Sequence, residues 1–138
     1  MIDVMLDNGA YLPTRAHELD AGLDIKARER QVVPADGSAV FHTGVHVAIP
    51  MGAAGILISK SGLNIKNDMT STGLIDSGYT GEIHVKLYNH SKSEDYVVEA
   101  GDKISQLIIV PCMLDSLNLV DSFPDTARGA GAMGSTGR

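Results

Sequence analysis

The stretch Gly81 to Asn89, GEIHVKLYN, alternates Ile83, Val85 and Leu87 with Glu82, His84, Lys86 and Tyr88. Period two is the mark of a strand with one face buried and one face wet. Working outward, similar short runs lie at Ile2 to Leu6, Leu23 to Ala27, Ser38 to Thr43, Val45 to Ile49, Gly55 to Ser59, Tyr96 to Val98, Ile104 to Val110 and Leu117 to Val120. Turn chemistry separates them: Pro34-Ala35-Asp36-Gly37, Pro50-Met51-Gly52 and Glu99-Ala100-Gly101-Asp102. No stretch offers helical spacing over ten residues free of Gly and Pro, so the pattern predicts an all-β sandwich or jelly roll.

The chain has 138 residues, enough for one domain with a real core. It carries 11 Lys and Arg against 17 Asp and Glu, a net charge of −6. That balance excludes the long-range positive field a nucleic-acid or anionic-membrane binder needs, so an anionic ligand must be held by a few local cations and backbone N–H groups. A single cysteine, Cys112, excludes an intrachain disulfide and a thiolate zinc cage, and reads as a small core hydrophobe. Nothing resembles a membrane helix, and MIDVMLDNG lacks the blocks of a signal peptide, so the expectation is a cytoplasmic protein. Residues 1–126 read as one β domain, and residues 127–138 (ARGAGAMGSTGR) as a Gly-rich flexible arm with no bulk to build an element.

The arm spells GxGxxG from Gly129 to Gly134, but no acidic residue follows at dinucleotide-site spacing and no P-loop lysine is present. An Arg, several glycines and Ser135-Thr136 can still wrap phosphate oxygens. The five histidines at 17, 42, 46, 84 and 90 show no HExxH spacing or cysteine partner, and read as surface residues rather than ligands. Asp76, in GLIDSGY beside Leu74 and Ile75, stands where desolvation can raise a carboxylate toward a useful base.

Taken in order, DAGLDIKA (Asp20 to Ala27), SKSGL (Ser59 to Leu63), GLIDSGYTGEI (Gly73 to Ile83), GDKISQLI (Gly101 to Ile108) and RGAGAMGSTG (Arg128 to Gly137) closely resemble the five boxes of the trimeric dUTPases. The resemblance implies a dUTPase-like β-clip or distorted jelly roll. It also implies a homotrimer whose sites combine boxes of different subunits under a C-terminal arm. The implied reaction is hydrolysis of dUTP to dUMP and pyrophosphate with Mg2+. Asp76 would activate the water that attacks the α-phosphorus, and Asp24 would meet the Mg2+ through water, the ion being held mainly by the triphosphate.

By the same resemblance, Lys60, Ser61, Gly62 and Gln106 contact phosphates, and Arg128, Gly134, Ser135 and Thr136 clamp the distal ones. Tyr79 packs under deoxyribose, and the hairpin with Gly73 and Ile75 reads uracil. Three departures bear on affinity and base discrimination: Lys60, at a phosphate contact, stands for the usual Arg of the second box, Thr70 for an Asn near uracil, and Met133 for an aromatic over the ring. The homologous dCTP deaminases, some bifunctional, are the nearest alternative, but Lys86 fills the place of their glutamate, and a cation cannot act as that base. A dUTP-gated regulatory protein is the other alternative, and no motif names its protein partner.

Overall fold

The computed structural model describes residues 1–131. It is built of antiparallel strands: β1 (Val4–Leu6), β2 (Leu23–Lys26), β3 (Gln31–Val33), β4 (Gly37–His42), β5 (Val45–Val47), β6 (Ala53–Ile58), β7 (Met69–Thr70), β8 (Thr72–Ile75), β9 (His84–Asn89), β10 (Tyr96–Val98) and β11 (Lys103–Pro111), with one short helix α1 (Ser61–Asn67). A four-stranded sheet runs β2-β11-β6-β8, a three-stranded sheet runs β4-β9-β7, and β1-β5 and β10-β3 form two-stranded ribbons.

The alternation in GEIHVKLYN becomes burial: Ile83, Val85 and Leu87 are inside, whereas His84, Lys86 and Tyr88 are exposed. Asn89, at the end of β9, is buried without penalty because its Nδ2 donates to the carbonyls of Val33 and Glu94 and its Oδ1 accepts from the Ser91 N–H. Ile25, Leu57, Ile75 and Leu107 of the four-stranded sheet share one core with Met69, Ala39, Phe41, Val85 and Leu87 of the three-stranded sheet. Ala39 apart, each such side chain is worth roughly 1.5–3 kcal/mol when buried.

Three expectations need correction. Residues 61–67 form a helix, although SGLNIKN has only Leu63 and Ile65 as apolar residues and no helical stripe. It is closed by Asp68 in a left-handed conformation, whose N–H donates to the Leu63 carbonyl. Leu117 to Val120 is not a strand, since no strand of the described residues pairs with it and Leu117 and Leu119 are fully exposed. Cys112 is half-buried rather than a core residue. No helix among the described residues is long and apolar enough to cross a membrane.

Candidate active site

Two groups of chemistry-bearing residues emerge, on different parts of the chain. The first is centred on Asp24 of β2, which is 3% exposed. Lys60 Nζ lies 2.7 Å from Asp24 Oδ1, Lys103 Nζ lies 2.7 Å from Oδ2, and Gln106 Nε2 stands 3.4 Å from Oδ1. Burial alone pushes the Asp24 pKa up, but hydrogen bonds from Lys103 and Lys60, together with their charge, outweigh it and hold the carboxyl below its ordinary range. Two ammonium groups on one carboxylate leave a net positive cluster, a sink for an anion.

Local sequence explains the placement. Lys103 and Gln106 are three apart and would face opposite sides of a regular strand, but the pairing of β11 with β2 shifts register between Lys103 and Ser105, so both reach Asp24. Lys60 leaves β6 just before α1, with Ser61 and Gly62 opening the helix. Beneath it, Ser59 Oγ accepts from the Ser71 N–H and donates to the Ser71 carbonyl. Ser71 and Ser105 share a hydrogen bond of 2.9 Å, and Ser105 Oγ donates to the Ile58 carbonyl. This polar network ties β6, β11 and the start of β8 together under the lysine.

The second group surrounds a cavity of about 220 Å³ lined by Gly73, Leu74, Ile75, Asp76, Tyr79, Glu82 and His84. Asp76 follows the last residue of β8 and is exposed, and its carboxylate makes no hydrogen bond or ion pair among the described residues. The apolar neighbours do not enclose it, for Ile75 points into the core and Leu74 is 70% exposed. Tyr79 is held from two sides: its hydroxyl donates to the Glu82 carbonyl at 2.8 Å, and its ring lies over Gly81, where an added Cβ would come within 2.5 Å of the ring. β8 is an edge strand of the four-stranded sheet, so backbone groups on its far side have no strand partner among the described residues.

Other expected residues fall outside both groups. Thr70 Oγ1 is bonded to His90 Nε2 at 2.7 Å, on β7. Lys86 sits on the exposed face of β9 with its Nζ 4.9 Å from the Tyr88 ring centroid. Arg128 donates from Nε to the Gly131 carbonyl and touches neither group. Met133, Gly134, Ser135 and Thr136 lie outside the described residues. Lys103 and Glu82, in contrast, are functional candidates that sequence reading did not single out.

The family model for dUTPase matches residues 8–137, nearly the whole chain. The chain belongs to the dUTPase family. It is 40% identical over 137 residues to the deoxyuridine 5'-triphosphate nucleotidohydrolase of Tropheryma whipplei, covering 97% of this chain and 94% of that protein. It is 39% identical over 130 residues to that of Saccharomyces cerevisiae, covering 93% and 88%. Among solved structures, Staphylococcus bacteriophage 80alpha dUTPase with dUPNHPP matches with a TM-score of 0.92 and 32% identity over 100% of this chain and 99% of that one. A mutant dUTPase of S. aureus phage phi11, described with a structural Mg(II) ion, matches with a TM-score of 0.82 and 33% identity, over 89% and 98%. The fold is thus the all-β jelly roll of the dUTPases, and the chain is a hydrolase of that family.

Proposed function

We propose that this dUTPase hydrolyses dUTP between the α and β phosphates by water that Asp76 deprotonates, at a site assembled from two or more copies of the chain. The observation that carries the reading is the contrast between the two groups: an exposed, unpartnered carboxylate on one, and a cation cluster on the other, with no shared cavity, ion pair or hydrogen bond between them among the described residues. A triphosphate needs both, so another copy must bring the second group. Exposed Met113, Leu114, Leu117, Leu119 and Phe123, which follow β11 and pair with no strand, are apolar surface of the kind that association covers. Three copies are the arrangement proposed.

In this reading an edge of β8 presents backbone groups to the uracil O4 acceptor and N3–H donor, a pattern cytosine inverts. Tyr79, fixed on Gly81, packs under deoxyribose and leaves no room for a ribose 2′-hydroxyl. Lys60 and Lys103 exchange part of their pairing with Asp24 for phosphate oxygens, supported by Gln106, Ser61 and Gly62. Arg128 and the arm, with Met133 over the base and Gly134, Ser135 and Thr136 on the distal phosphates, exclude bulk water.

Asp24 is the one nearly buried carboxylate among the described residues, and both of its oxygens are engaged by lysines, so the described residues do not offer a resident Mg2+ cage. Mg2+ takes several water and phosphate ligands, and in this proposal it arrives as part of the substrate complex. Asp24 would accept a hydrogen bond from a water carried by that ion once phosphate has drawn a lysine away.

A product assay with dUTP, dCTP, dTTP and UTP in Mg2+ tests the reading. dUMP and pyrophosphate from dUTP alone are expected, whereas ammonia from dCTP, or nucleotide binding without turnover, would overturn it.

A further inference from the structure

We propose that His42, Glu82 and His84 form a binding site for one borderline divalent transition-metal ion, of which Zn2+ is the representative, on the wall of the Asp76 cavity. His42 and His84 are directly opposed in the β4–β9 register, so both rings leave the same exposed face of the sheet. Glu82 stands two residues before His84 and points the same way. Its Oε2 lies 2.9 Å from His84 Nε2 and 3.3 Å from His42 Nδ1, and one ligand atom from each of the three residues falls within 4.8 Å of the others.

The carboxylate is built into place rather than left to drift. Glu82 Oε1 accepts from the Gly44 N–H at 2.7 Å, which turns Oε2 toward the two rings, and the side chain is only 21% exposed. A fixed carboxylate oriented by a backbone donor is the supporting contact that metal sites use to set ligand direction.

Donor chemistry then selects the ion. Two imidazole nitrogens and one carboxylate oxygen suit Zn2+, Ni2+ or Co2+, and not Mg2+, which prefers oxygen ligands and keeps its waters. Zinc with ligands at about 2.0–2.2 Å requires ligand atoms roughly 3.3 Å apart, close to the two Glu82–histidine separations, and His42, the more exposed of the two rings, is the one that would close on the ion. The fourth position faces solvent and would carry water. Because Glu82 also supplies the carbonyl that anchors the Tyr79 hydroxyl, an ion here stiffens the segment that holds that ring.

The test uses the full chain stripped with a chelator, in buffer with millimolar Mg2+, titrated with Zn2+ against a chromogenic competitor. One Zn2+ per chain is expected, with affinity reduced at least tenfold in His42→Gln and in His84→Gln, and unchanged in His17→Gln. Both rings are exposed, so these variants should fold, which circular dichroism verifies. Co2+ should give visible bands that weaken in the same two variants. No Zn2+ uptake by the wild-type chain at micromolar concentration, or uptake that both variants retain, would overturn the proposal.

Discussion

Asp24 lies within β2 and Asp76 just past the end of β8, and the fold treats the two carboxylates in opposite ways. Asp24 is buried and held between two lysines, with its pKa depressed by them. Asp76 stands exposed on a cavity rim with its oxygens unpaired among the described residues. A saturated carboxylate organises cations and cannot take a proton from water; an unpartnered one can. In the proposed reaction this contrast divides phosphate capture from water activation.

The largest effect should come from removing the unpaired carboxylate. Asp76→Asn is expected to lower turnover by about two to four orders of magnitude while nucleotide affinity and melting temperature stay near wild type. Single-turnover kinetics with parallel binding measurements check this, and near-normal turnover would break the comparison on its catalytic side.

Next is the cavity wall. In Gly81→Ala the new Cβ needs the space of the Tyr79 ring, which must swing away from its bond to the Glu82 carbonyl. kcat/KM for dUTP should fall roughly tenfold, and the preference for dUTP over UTP should fall with it, since misplacing a contact by about an ångström is costly at a reacting centre. An unchanged preference would separate Tyr79 from sugar recognition.

The smallest effect belongs to the saturated carboxylate. Asp24→Asn removes the charge between Lys60 and Lys103 and should cost roughly 1–2 kcal/mol at neutral pH, less than a fully buried pair because Lys103 is 42% exposed. The Asp24 pKa is lower folded than unfolded, so its contribution is full above the unfolded value of about 4 and fades as pH falls through the folded value. Denaturant melts should therefore show wild type and variant converging below about pH 4. A constant gap down to strongly acid pH would mean the lysines are not what stabilises that charge.

How much of this was legible in the sequence depended on the range of the interaction. The alternation around Val85 and Leu87 was visible because a half-buried strand writes its own period, whereas β3, β7 and β8 are two to four residues long and too short for any period to show. Leu117 to Val120 looks like a strand to any local reading, but pairing is a property of a partner, and the described residues provide none. Asp76 and Tyr79 could be marked from the third box; the way Lys103 joins Gln106 on Asp24 could not, because a bulge in β11 changes which face Lys103 occupies. His42 and His84 lack any sequence spacing as a motif, and only the β4–β9 register makes them neighbours.

The central claim, that the Asp76 cavity and the Asp24–Lys60–Lys103 cluster meet between copies, is tested most directly by mixing two inactive variants. Asp76→Asn chains and Lys60→Ala chains are each expected to be nearly dead. Co-assembled in equal amounts, they should recover up to about a quarter of wild-type activity, because about one site in four then combines an intact Asp76 with an intact Lys60 from different chains. Activity that stays at the level of the separate variants, in assemblies shown by mass to contain both, would place the two groups of one site on a single chain and contradict the account.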